Sequence, residues 1–415
     1  MFFKKRKAKT LCIYFVFLSF HDYCRCGFSK PNISTIVGSL YDKYDVRRDS
    51  GFTLFYMGIN LGSFLSTWTC GILGIYWGWK WGFGLAGIGM LIGLVTFLTM
   101  QPWLEGKAEP PNPAKLKEKV FGPINVEWAC YLVGFGIIAL AMTLVMHSEI
   151  VGSLGAIVGV LMFIYLIGYS FVKLKGRDRS RMWAGAYFAV AQIPFWSLFE
   201  QAGSSLTLFT SRLVNTNILG WDVPTPVFQS LNAGFIFIFA PIVAWLWIWL
   251  AKRNWEPSTP VKFAFGVMGV GLGYLALVAG INSAGAGLLT PVIFIFLIYW
   301  IHTMAELLLS PVGLSAMTKL APAQAVGLMM GAWFLYSGLG NSLSGFIAGM
   351  AGAETVGGEI IDKVAAKDNY SSVFSSVGWI GIGIGVLMLL FAPVVRGWMK
   401  EGDVEEAADK RASEA

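Results

Sequence analysis

The stretch FWSLFEQAGSSL, residues 195–206, places one carboxylate, Glu200, in the middle of an apolar run. That run, MWAGAYFAVAQIPFWSLFEQAGSSLTLF at 182–209, is long enough to cross a bilayer as a helix. An ionised side chain at such depth costs a few kcal/mol unless something compensates it. The rest of the chain shows that this is no isolated case. Of 415 residues, 56% are hydrophobic and only 13% charged, against about 25% charged in soluble domains. Apolar segments of about 20 residues recur along the sequence, which defines an all-α, polytopic membrane protein.

Eleven spans follow from this pattern, at 11–40, 51–75, 79–101, 127–147, 151–172, 183–211, 226–250, 261–281, 290–316, 323–350 and 371–396. Glycine is frequent inside them, as in FYMGINLG at 55–62, and small residues at that spacing let membrane helices approach closely. From residue 41 onward, one alternate set of connections with the tail carries 20 Lys and Arg against 4 in the other set. The positive-inside rule puts the rich set and the C-terminus in the cytoplasm. The net charge of +7 is therefore no argument for nucleic acid. The start is irregular: MFFKKRKAK and HDYCRC do not fit a crossing whose two ends are both basic, and residues 1–26 read as foreign to the body that follows. The cysteines show no metal-ligand spacing backed by His, and neither H-E-x-x-H nor G-x-S-x-G occurs, so neither a metal centre nor an enzyme is expected.

With the loops set aside, the Lys and Arg left are the basic start, Arg25 and Lys30, and among the acids only Glu200 and Glu306 lie well inside spans; in the body of the chain this leaves Lys30, Glu200 and Glu306. One cation and two anions on three separate segments point to a polar site between helices. A carboxyl group favours its protonated form in a low dielectric and its ionised form beside a cation, so such groups can switch as a conformation changes. Each has a structural reading too: Lys30 can snorkel to an interface, and the two glutamates can be hydrogen-bonded neutral acids. Asn60 and Asn232 can tie neighbouring helices together, Trp196 and Trp333 can be packing residues, and His302 reads as a packing histidine rather than a proton relay. Pro194 and Pro311 break the helical ladder near the two glutamates.

GFSKPNIS at 27–34, GFTLFYMGINLGSF at 51–64, FWSLFEQAGSSL, FQSLNAGFIFIFAP at 228–241, AELLLSPVGLS at 305–315 and GLMMGAWFLYSGLGN at 327–341 form an ordered set. Together they resemble the proton-dependent oligopeptide transporters of the major facilitator superfamily, from about Gly27 to Trp398. The resemblance implies two pseudo-symmetric helix bundles rocking around a midplane cavity, and alternating access for di- and tripeptides driven by the proton gradient without a cofactor. It implies that Lys30 pairs with Glu306 and helps hold the peptide carboxylate, while Glu306 receives the peptide ammonium. Asn60 and Asn232 are then expected to hydrogen-bond the peptide backbone, Trp196, Trp333 and Ser337 to line side-chain pockets, and Glu200 with Glu306 to couple protons. The implied division is 1–26 atypical, 27–101 the remnant of an N-terminal bundle, 102–182 a linker with two extra helices, 183–400 a C-terminal six-helix bundle and 401–415 a cytoplasmic tail. The family's first three helices have no counterpart here, and with them go an E-x-x-E-R motif and the basic partner of Glu200. The expectation is a chain of about 10–11 spans in the bacterial inner membrane, a monomer, in which symport is impaired or lost. The alternatives are a family transporter of another small solute and a non-transporting remnant.

Overall fold

In the FWSLFEQAGSSL region, which the sequence reading treats as part of a single span at 183–211, the helix is broken twice. It comprises α5 (Gly176–Ala191), α6 (Ile193–Phe199), a 3-10 turn (Glu200–Gly203) and α7 (Ser205–Leu213). Pro194 in the first turn of α6 has no N–H to donate, so it removes one bond from the helical ladder just where α5 ends. The second break falls at Glu200, where the 3-10 turn leads into a non-helical Ser204. Breaks at membrane depth free backbone carbonyls, and neighbouring side chains must satisfy them. The Tyr274 hydroxyl donates to Leu198 O at 2.9 Å, and Thr207 Oγ1 donates to Ala202 O at 2.5 Å. Tyr274 is fully buried. Tyr274→Phe should lower stability by about 1 kcal/mol through the hydrogen bond it removes; a melting temperature equal to wild type in detergent would contradict this.

This is a computed structural model, and it describes residues 36–37, 40, 47–106, 113–145, 148–285, 288–322, 325–352, 355–356 and 359–400. Of the span expected at 11–40 only residues 36, 37 and 40 are described, and Lys30 and the tail 401–415 lie outside the described residues. The other long helices are α1 (Arg47–Trp77), α2 (Trp79–Met100), α3 (Val126–Val145), α4 (Ser148–Lys173), α8 (Thr225–Ala251), α9 (Thr259–Ser283), α10 (Ile293–Leu320), α11 (Val326–Met350) and α12 (Lys363–Lys400). Among the described residues, six helices are long and apolar enough to cross a membrane by length and composition. Helix α12 starts eight residues before the expected span because Asp362 caps it, its Oδ1 accepting the Val364 and Ala365 N–H groups at 2.9 and 3.0 Å.

The chain divides into two units, residues 1–59 with 84–154, and 60–83 with 155–415. In the first, Leu91, Ile92, Trp128 and Phe135 present their side chains outward. Thr96 and Thr99 return their hydroxyls to Ile92 O and Val95 O, each at 2.8 Å, so neither donor is left unmet on an apolar face. A short hairpin, Lys119–Phe121 with Ile124–Asn125, leads into α3, and Asn125 Oδ1 accepts the Trp128 N–H at 2.9 Å.

The second unit holds the hydrophobic core, centred on α9 through Phe263, Val267, Val270, Tyr274 and Leu277. Helix α12 lies against α9 along glycines: a Cβ on Gly271 would come within 2.6 Å of Gly378 O. Helix α4 docks on α11, where Tyr336 Oη donates to Gly159 O at 2.9 Å. Arg179 caps the end of α4, its Nη2 reaching Leu174 O at 3.1 Å. Buried Lys367, near the start of α12, donates to Gly285 O and Leu288 O at 2.6 and 2.9 Å. It ties the loop after α9 to the first turns of α12.

Candidate functional site

Glu306 lies in the middle of α10 and is buried, with 7% of its surface exposed. Its Oε2 accepts a hydrogen bond from Asn232 Nδ2 on α8 at 2.8 Å. The same amide nitrogen lies 3.1 Å from Thr303 Oγ1, whose hydroxyl donates to Tyr299 O at 2.7 Å. Two residues singled out in the sequence, 74 positions apart, thus meet on facing helices.

The tryptophan pair converges on a residue that the sequence reading passed over. Gln192, at the break between α5 and α6, is fully buried. Its Nε2 donates to Trp333 O at 2.8 Å, while its Oε1 accepts Trp196 Nε1 at 2.9 Å and Ser337 Oγ at 3.3 Å. Trp196, Trp333 and Ser337 are therefore held by one amide between α6 and α11. Helix α6 gets that close because Gly340 has no side chain: a Cβ there would sit 2.7 Å from Trp196 Cβ. The Trp333 ring is 3% exposed and wedges against Gly313 and Phe263, so it presents little surface to a ligand. A signal for Gln192 exists in the sequence, since a buried amide in an apolar run must find partners.

Glu200 opens the 3-10 turn at the second break and is half-buried. Its neighbour Gln201, fully buried, donates to Ser344 O at 2.9 Å and fastens this turn to α11. Asn60 is buried on α1. One turn on, Phe64 lies 3.2 Å from the Cβ position of Gly234, and further along Pro226 Cβ lies 3.1 Å from that of Gly71. Those contacts run α1 antiparallel to α8, which puts Asn60 and Asn232 about 9 Å apart along the helix axis. His302, one turn before Glu306, is packed under Gly273 with its Nε2 3.1 Å from Val270 O. The second unit thus contains a buried carboxylate–amide pair on α8 and α10, and a second carboxylate where a span is discontinuous. Such an arrangement can hold an ammonium group and exchange a proton; among the described residues no cluster that could hold a metal ion occurs.

Comparison with known proteins gives the same picture. The uncharacterized transporter YclF of Bacillus subtilis is 35% identical over 376 residues, 90% of this chain and 73% of YclF. The peptide transporter YePEPT of Yersinia enterocolitica is 34% identical, over 89% of this chain and 73% of its own length. The dipeptide and tripeptide permease A of Escherichia coli is 30% identical, over 94% and 74%. A crystal structure of a mutant peptide transporter POT in complex with alafosfalin superposes with a TM-score of 0.73 at 33% identity, covering 89% of this chain and 72% of that one. The fold is the polytopic, all-α type of the major facilitator superfamily expected from the sequence. With a sequence profile matching over residues 24–364, the chain belongs to the POT family of peptide transporters.

Proposed function

We propose that this protein binds di- and tripeptides at the Glu306–Asn232 centre and moves them by alternating access in symport with protons. The observation that carries the reading is the Glu306 carboxylate, buried in an apolar bundle and hydrogen-bonded to Asn232 at 2.8 Å. A carboxylate at this depth interacts most favourably with cationic or donor groups, and a peptide α-ammonium is such a group. Lys30 serves as the carboxylate clamp, Asn60 and Asn232 hold the peptide backbone, and Trp196 and Ser337 shape the side-chain pockets around Gln192, whose amide Trp333 fixes through its carbonyl. Glu200 and Glu306 carry the protons; Glu200 stands where the helix is discontinuous and the backbone can change geometry most cheaply. The proton gradient drives the cycle without a cofactor. The protein sits as a monomer in the bacterial inner membrane, its C-terminus on the cytoplasmic side by the excess of Lys and Arg there. Relatives named as dipeptide and tripeptide permeases support the substrate class.

Binding can be read on the purified full chain by its melting temperature. Dialanine and trialanine should stabilise it in a saturable manner; N-acetyl-dialanine and free alanine should not. An equal response to N-acetyl-dialanine would remove the role of the ammonium. The proton half is read separately by calorimetry in buffers of different ionisation heat. Peptide binding should be accompanied by proton exchange in the wild type and by a smaller proton count in the E200Q variant, which keeps Glu306 for the peptide. The same proton count in both would overturn the assignment of the carriers.

A further inference from the structure

We propose that the C-terminal end of α8 is a binding site for one anionic phospholipid, its headgroup held by Lys252 and Arg253 and its acyl chains laid along the outer face of α8. Ile238, Ile242, Trp245 and Trp249 follow one another at intervals of four, three and four residues, the spacing of a single helix face. The first three are 55%, 52% and 62% exposed. The stripe runs about 16 Å at the helical rise, close to the ~15 Å thickness of one hydrocarbon leaflet.

At the end of that stripe the chemistry changes from apolar to aromatic and cationic. Trp245 and Trp249 lie tilted to one another with ring centroids 6.4 Å apart, and exposed Trp255 meets Trp249 edge-on at 6.5 Å. The Arg253 guanidinium carbon lies 3.7 Å over the Trp249 ring, held by the ring's negative face. This fixes the side chain while leaving its edge donors for a phosphate, whose oxygens match the guanidinium fork. Lys252 and Arg253 are both exposed, and neither is ion-paired with a carboxylate among the described residues. The one carboxylate in the connection, Glu256, is taken by Lys262, which also lies 4.2 Å over Trp247. Two uncompensated cations at headgroup level, a tryptophan pair at the interface and an apolar track one leaflet long match an anionic glycerophospholipid from head to tail. A zwitterionic lipid satisfies the track and not the charge; free phosphate satisfies the charge and not the track.

The test uses the purified full chain in neutral detergent, titrated with phosphatidylglycerol, phosphatidylcholine or inorganic phosphate, with bound lipid counted by native mass spectrometry. One tightly held phosphatidylglycerol is expected, with phosphatidylcholine far weaker and phosphate unable to displace it at millimolar concentration. The K252Q/R253Q variant should bind phosphatidylglycerol about 30-fold more weakly, from a contribution near fivefold per basic residue at a membrane surface. K319Q, which removes a different exposed lysine, should not change it. Equal retention of the two lipids, or phosphatidylglycerol binding unchanged in K252Q/R253Q, would overturn the proposal. Displacement by inorganic phosphate would also overturn it, since the site would then recognise an anion and not a lipid. Because the double variant alters only exposed side chains, its phosphatidylcholine binding and melting temperature check that it folds.

Discussion

Replacing Glu306 by glutamine should weaken dialanine binding by about 30-fold or more, with the fold retained. Removing one partner of a buried, hydrogen-bonded charge pair costs about 2–5 kcal/mol, much of it from the charge left unmatched. In this case the stranded charge is the peptide ammonium. The amide of Gln is nearly isosteric with the carboxyl group, and its Oε1 can still accept from Asn232 Nδ2, which lies 2.8 Å from the native oxygen. The α8–α10 contact therefore survives, and the melting temperature of the empty protein should stay near wild type. A dipeptide analogue lacking the α-amino group separates charge from shape: it should bind wild type and E306Q alike, and weakly. Dialanine affinity equal in E306Q and wild type, with the melting temperature preserved, would show that Glu306 does not receive the ammonium. Asn232→Leu should cost less, since it removes one neutral donor, and its effect should not add to that of E306Q if the two act as one centre.

How far the site was legible in the sequence follows from what each residue costs in a membrane. Glu306 stands out because a carboxylate in an apolar span is rare, and Asn232 because an amide there must find a partner. Their meeting could not be read from composition, since it depends on how α8 faces α10. The break at 192–204 was half legible: Pro194 marks it, but hydropathy alone runs through it as one span. Gln192 went unremarked because the tryptophans beside it carry the stronger motif; its amide matters only once α11 is close enough to supply a carbonyl and a hydroxyl. The early start of α12 at Lys363 is a capping effect, and the buried role of Lys367 depends on two carbonyls about 80 residues earlier in the chain. Lys30, singled out by the same cost argument, lies outside the described residues.

The largest effect on stability should come from a residue with no chemistry at all. Along the seam between α9 and α12, glycines from both helices let the backbones touch: a Cβ on Gly271 would lie 2.6 Å from Gly378 O and 2.9 Å from Ile382 N. Neither atom is the end of a flexible side chain, so only a shift of a whole helix can relieve the clash. Helix α9 cannot move away freely, because its far side is locked by Tyr274 on Leu198 O and by His302 packed under Gly273. Membrane helices gain little from burying apolar surface against one another, and depend on this close packing for association. Gly271→Val should therefore destabilise the second unit by about 3 kcal/mol or more, at the upper end for overpacking, and abolish monodisperse protein on size exclusion. Gly271→Ala should fall between that variant and wild type. Gly383, on α12 but turned away from the seam, supplies the control, since a Cβ there meets nothing within 4 Å. Gly383→Ala should thus leave the melting temperature near wild type. If Gly271→Val and Gly383→Ala melted alike, the seam would not be what holds α9 to α12.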